Sequence, residues 1–347
     1  METLWFCLVA GMIAMYVLLD GFDLGAGAIH FLVAKTNEER RQVIATIGPV
    51  WDGNEVWLVA SGGTLYFAFP LLYASGFSGF YLPLMMVLWL LILRGTAIEF
   101  RNHVHSPIWI PFWDFVFSAS SFLLAVFFGA ALGNVVRGVP LDESGYFFEP
   151  LWTSFRLGEH TGILDWYTIL VGITALLALM MHGALWVQLK TGGTVRERSE
   201  RLALGAWWGV LIFTALLTTV TFRVQPQVLA NFKTWPAGYL LPAIAIAGLA
   251  GVPFELRHDK ELNAFLASCA YILGMLASVV FGVYPLVLPA RNPLYSLTVR
   301  SAKAGAYGLK IGLIWWILGM ILAAGYFIYV YRTFAGKIAA DADPHTH

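Results

Sequence analysis

Four carboxylates and one guanidinium stand where apolar helices should carry none. Asp20 and Asp23 lie in the run L18-L19-D20-G21-F22-D23-L24-G25, and Asp52 and Glu55 lie in W51-D52-G53-N54-E55-V56-W57. Arg94 follows L90-L91-I92-L93. A charge in hydrocarbon costs at least ~2.5–3.5 kcal/mol, so it stays where it is paired, wetted or handling protons. In each acid pair the members are one helical turn apart and share a face. Two such carboxylates cannot both stay ionised unaided: one is protonated, or both are bridged by water or a cation. A pair of this kind can pass protons, because one member holds what the other releases. For Asp23 a second reading stays open, in which its oxygens cap a broken helix ahead of Gly25 and Gly27. Asp52 is expected a few residues inside the membrane surface. Arg94 either snorkels to that surface, neutralises Asp52 at similar depth, or faces an anionic group on a partner. Trp51 and Trp57 flank the acids and either fill space or line a route for a small apolar molecule or a quinone ring.

The elements that position these groups must be membrane helices. The chain has 347 residues, 59% hydrophobic and 12% charged, with a mean hydropathy of +0.72; soluble domains carry about 25% charged residues. About 20 apolar residues span a ~30 Å hydrocarbon core. Long apolar runs predict an all-α polytopic membrane protein of about nine spans, near 3–34, 48–71, 74–97, 113–138, 163–189, 202–223, 237–254, 262–289 and 307–331. The second carries Asp52, Glu55, Gly62 and Gly63 and is expected to be shielded from lipid by its neighbours. No loop is long enough for a soluble domain, so residues 1–347 form a single membrane domain. The first helix lacks the basic flank of a cleavable signal. The inner loops and tail, with Lys35, Arg40, Arg41, Arg101, Lys190, Arg196, Arg198 and Arg201 among them, hold more basic residues than the outer ones. This favours an N-terminus outside and a C-terminus in the cytoplasm.

Charged turns after the first and fifth spans (E38-E39-R40-R41 and R196-E197-R198-S199-E200-R201) allow a pseudo-repeat. It would relate four-helix units at 1–138 and 163–289, with a peripheral ninth helix at 307–331; short basic inner loops explain the same pattern more simply. Asp114 reads as a helix cap, and Glu99 and Arg101 as solvated boundary charges. Cys7 and Cys269 have no metal-type spacing and read as packing residues. His103, His105, His160, His258, His345 and His347 fall in loops or the tail, and His30 near the end of a span. A six-coordinate heme needs two axial ligands from facing helices. Only His182 is deep enough, and it reads as a lone, hydrogen-bonded core histidine. No metal ligand set and no cofactor ligated by this chain are expected. The zero formal net charge suggests no nucleic-acid partner.

In order along the chain, D20-G-F-D23-L-G-A-G, E-E-R-R, G48-P-V-W-D52-G-N-E-V-W57, F77-S-G-F-Y, R94 and E99-F-R101 resemble subunit II of cytochrome bd-type quinol oxidases. The resemblance implies a heterodimer with a homologous larger subunit I that carries heme b and heme d and oxidises quinol. The complex reduces O2 to water with protons drawn from the cytoplasmic side of the bacterial inner membrane. It further implies that Asp52 serves a proton route with Asp20 and Asp23 in support. Arg94 would lie close to the subunit boundary and the hemes, and Trp57 on a path of oxygen entry. Small accessory subunits and a bound structural quinone are compatible with it. The competing class is a proton-coupled secondary transporter with a midplane carboxylate site, for which Gly-interrupted helices are suited; a self-contained diheme cytochrome is disfavoured by the histidine census.

Overall fold

Proline and glycine set the helix boundaries in the computed structural model, which describes residues 1–104, 106–158 and 161–338. The long first helix, α1 (Glu2–Val33), contains no proline and runs for 32 residues. It leads to the short α2 (Asn37–Ala45), whose start is fixed by a reciprocal cap between Thr36 and Glu39. Then come α3 (Trp51–Ala68), α4 (Pro70–Gly79), α5 (Tyr81–Phe100) and α6 (Trp109–Arg137). The second half holds α7 (Trp166–Lys190), α8 (Gly193–Val224), α9 (Pro226–Thr234), α10 (Leu240–Leu256), α11 (Glu261–Val283) and α12 (Ala306–Thr333). A small antiparallel pair of strands, Leu286–Leu288 with Leu297–Thr298, closes the loop before α12.

Among the described residues eight helices are long and apolar enough to cross a membrane, and α3 is not one of them. The expected second span, 48–71, is therefore a shorter and more polar helix, α3, followed by a break, and the expected third, 74–97, is shifted to Tyr81–Phe100. Proline disfavours helical backbone in the residue before it. Phe69 is accordingly non-helical, so the chain breaks at Pro70 and a short α4 intervenes before α5. The shielding expected around α3 is also one-sided. Asn54, Trp57 and Ser61 form its buried stripe, while Val56 and Val59 on the other side are 56% and 74% exposed.

The centre of the fold is the contact of α1 with α7. A Cβ on Gly25 would lie 2.8 Å from Gly183 and would run into the Leu179 carbonyl. Only glycine lets the two backbones come this close, which is how membrane helices gain packing where burial from water cannot help. Around this axis α3, α6 and α11 pack on α1, α8 on α7, and α10 on α11. α12 stands apart and leans on the others through side chains: Trp5 Nε1 donates to the Leu309 carbonyl at 3.1 Å, and the Phe327 ring lies 5.6 Å from that of Trp57.

Candidate functional site: a buried carboxylate cluster between three helices

α1, α3 and α5 bring the acids together. Asp20 and Asp23 of α1 are fully buried, as is Arg94 of α5. Arg94 Nη1 lies 2.7 Å from Asp20 Oδ1 and Nη2 lies 3.0 Å from Glu55 Oε2. The guanidinium thus bridges α1 and α3. Neither of the other readings of Arg94 survives: it does not reach the surface, and its partner on α3 is Glu55, not Asp52. It lies inside the chain, paired with these two acids. Glu55, with 23% of its side chain exposed, is the member that reaches the surface.

Asp52 occupies the first turn of α3 on its open side and is exposed. Within the chain Asp52 is not among the buried acids, because the face of α3 turned inward is the one holding Asn54 and Trp57. Asp23 is no helix cap: α1 runs through it to Val33, and its Oδ2 accepts from Asn54 Nδ2 at 2.8 Å. Asn54 in turn accepts from the Tyr331 hydroxyl of α12 at 2.9 Å. Sequence reasoning passed over Asn54 and Tyr331; the amide next to Asp52 in W51-D52-G53-N54 was the available signal. Trp57 is 6% exposed and packs with Met12 and Tyr16, and Trp51 lies over Gly95 of α5.

Two further ionic clusters were not legible. At one end of the bundle, fully buried Asp114 accepts from Arg101 Nε at 2.6 Å and faces His30 Nε2 at 3.0 Å and Arg40 Nη1 at 3.5 Å. Asp114 is therefore an ion-pair centre instead of a cap, and Arg101, 1% exposed, is no solvated charge; Glu99 is exposed as expected. At the other end, Arg137 pairs with Glu149 at 2.9 Å and with Asp165, and Arg291 pairs with the same Glu149. This ties the loop between α6 and α7 to the loop before α12. Burial pushes the Glu149 carboxyl up to about 7, with Arg137 and Arg291 pulling against the rise.

Neither buried histidine offers itself to a heme. His182 Nε2 hydrogen-bonds the Leu18 carbonyl at 3.0 Å, Nδ1 faces Ser268 Oγ at 2.7 Å, and the ring stacks on Phe265. His30 is engaged by Asp114. In this structure His182 presents no free ring nitrogen to a heme iron, and the Nε2 of His30 is already taken. His105, His160, His345 and His347 lie outside the described residues.

The chain that carries this cluster matches one known family along nearly its whole length. The profile described as cytochrome bd terminal oxidase subunit II covers residues 1–334. This chain belongs to that family. It is 30% identical to the cytochrome bd ubiquinol oxidase subunit 2 of Bacillus subtilis (strain 168), over 100% of this chain and 99% of that protein. It is 26% identical to the cytochrome bd-I ubiquinol oxidase subunit 2 of Escherichia coli (strain K12), over 100% and 98%. Its fold is similar to a chain of the bd oxidase from Geobacillus thermodenitrificans, with a TM-score of 0.77 at 16% identity, covering 96% of this chain and 98% of that one. The bd-type subunit II is thus an all-α, multi-pass bacterial membrane protein. It is part of a quinol oxidase complex that contains heme and a partner oxidase subunit. Nothing in these similarities favours the transporter reading.

Proposed function

We propose that this chain is the heme-free, proton-supplying half of a bd-type quinol:O2 oxidoreductase. Heme b and heme d belong on the larger partner subunit, the N-terminus lies outside, and protons enter from the cytoplasmic side, where the C-terminus lies. The two helical units, 1–138 and 163–289, supply the scaffold. The observation that carries the reading is the Asp20–Arg94–Glu55 bridge, buried one helical turn from exposed Asp52.

The geometry suits charge handling more than rigid pairing. Asp52 and Glu55 are one turn apart on α3, so a proton collected at Asp52 has Glu55 as its next acceptor. When Glu55 is protonated its hold on the guanidinium weakens, and Arg94 turns its full charge to Asp20. When Glu55 gives the proton up, the bridge to both acids is restored. Arg94 thus exchanges partners without leaving its place, and the interior never holds an unpaired carboxylate, which would be costly there. Asn54 holds Asp23 in the same pocket through an amide that donates and does not titrate. Asp52, exposed on a helix face that otherwise shows valines, is covered by the partner or faces the cytoplasmic interface; lipid would not accept it. Trp57 walls the cluster on its apolar side, where oxygen would pass.

The test is turnover of the intact complex. Asp52→Asn and Asp20→Asn are each expected to slow O2 reduction about 100-fold, the low end for loss of a positioned proton-transfer group, with the heme absorption spectrum unchanged. Wild-type turnover in both variants would overturn the reading.

A further inference from the structure

Tyr16 has no part in the cluster as described, yet its hydroxyl is buried without a well-formed hydrogen bond, with Asp20 as an acceptor within its reach, in a side chain only 4% exposed. Leaving a buried donor unpaired costs about 1–3 kcal/mol, so such a group calls for an explanation. Its place gives one. Tyr16 precedes Asp20 by four residues on α1 and so lies on the same face, one turn nearer the middle of the helix. Its hydroxyl faces Asp20, Arg94 and Glu55. The ring is held edge-on against Phe128 of α6 at 5.6 Å and packs with Met12 and Trp57, so the phenol cannot swing to the surface. The other unpartnered polar atoms nearby are Asp20 Oδ2, Asp23 Oδ1, Trp57 Nε1 and Arg94 Nε. Five unpartnered polar atoms on α1, α3 and α5 mark a polar locus, with Tyr16 at its inner limit.

We propose that Tyr16 is a further proton-handling residue, extending the carboxylate cluster by one helical turn, about 6 Å, toward the middle of the membrane. This rests on the proton-supply reading above. The step is a hydroxyl relay. Asp20, protonated in its turn from Glu55 on the same guanidinium, gives its carboxyl proton to the phenolic oxygen as the phenolic proton leaves to a water molecule beyond it, so the tyrosine stays neutral and Asp20 returns to its carboxylate. Rotation of the hydroxyl resets it. Trp57 Nε1–H can only donate, so it orients an acceptor at this level and carries no proton.

The experiment uses the purified oxidase complex with Tyr16→Phe, which keeps the ring and its packing and removes one oxygen. Turnover, the solvent deuterium isotope effect on turnover and the heme spectrum are measured beside Asp20→Asn and Asp52→Asn. Tyr16→Phe is expected to lower turnover about tenfold, as loss of a hydrogen bond to a charged group would, with a larger isotope effect and an unchanged spectrum. Wild-type turnover and isotope effect in Tyr16→Phe while the aspartate variants are slow would refute the role of Tyr16 and leave the cluster reading standing. Wild-type behaviour in all three would refute both. A slow Tyr16→Phe with an unchanged isotope effect would reduce the hydroxyl to a packing group and also overturn the proposal.

Discussion

Arg94 offers the sharpest test of how this fold tolerates charge. Arg94→Met keeps the length and most of the volume of the side chain and removes its charge. Asp20, fully buried, then loses the cation 2.7 Å away, and Glu55 loses the one at 3.0 Å. Breaking a buried pair by removing one partner costs about 3–5 kcal/mol, because the remaining charge is uncompensated. Asp20 bears most of this, since Glu55 has 23% of its side chain exposed and can draw on solvent or partner. A large membrane complex unfolds irreversibly, so the readout is the half-life of the purified oxidase at fixed temperature. If the whole loss appears in the unfolding barrier, 3 kcal/mol shortens that half-life by about two orders of magnitude. The double variant Arg94→Met/Asp20→Asn is expected to recover at least half of the loss, because the orphaned charge is gone. A single variant as long-lived as wild type, or a double variant no better than the single, would refute the assignment of Arg94 as the counter-charge of Asp20.

Other outcomes follow from the same geometry. Gly183→Ala would press a Cβ into the backbone at Gly25 and Ala26; overpacking costs about 1–3 kcal/mol, so the yield of assembled complex should fall, while Gly11→Ala, with nothing within 4 Å, should assemble normally. Asp114→Asn should lower thermal stability by about 3–5 kcal/mol, read as heat-inactivation half-life, whereas Asp142→Asn on an exposed loop should not. Glu39 lies on α2, outside the spans. Burial would raise its carboxyl, but hydrogen bonds from the Lys35 backbone, Thr194 and Arg198 prevail and hold it at about 2 against an ordinary 4.5. Its folded value is thus the lower one, so the tie to α8 is fully felt above pH 4.5 and is lost as pH falls toward 2. Glu39→Gln should flatten the acid limb of the stability–pH curve in that window and leave its shape above pH 5 unchanged.

The presence of the acids was legible because their cost in lipid is large whatever surrounds them. Their facing was not. On a soluble helix the polar side marks solvent, but on α3 the outward positions are Val56 and Val59, as apolar as any core residue, so periodicity could not show that Asn54 faces in and Asp52 out. The partner of Arg94 was misassigned for this reason. Arg101 was read as solvated and Asp114 as a cap because they lie near span ends, yet both fold onto His30 and all three are buried. Arg137, Glu149, Asp165 and Arg291 come from separate segments, and no local spacing connects them. Eight of the spans were plain from length and composition; α3 was blurred by the glycines and acids that give it its role, and by Pro70.

Charge balance separates the three ionic clusters by purpose. Around Asp114 stand two arginines and a histidine, so the single acid is saturated and the group serves as a lock. Around Glu149 and Asp165 stand Arg137 and Arg291, two against two among the described residues, which makes a staple between loops. Around Arg94 stand Asp20, Glu55 and Asp23, three acids for one fixed cation, with Asp52 a turn beyond. Among the described residues only this last cluster of the three holds more acids than cations, which is what the proposed proton supply would need. The distinction can be measured. Asp114→Asn should shorten the lifetime of the complex and leave turnover per intact complex near wild type. Asp20→Asn should chiefly lower turnover, since it breaks the relay while Glu55 stays as a counter-charge for Arg94 and limits the loss of lifetime. If both variants lose lifetime and turnover together, charge balance does not divide structure from function in this chain.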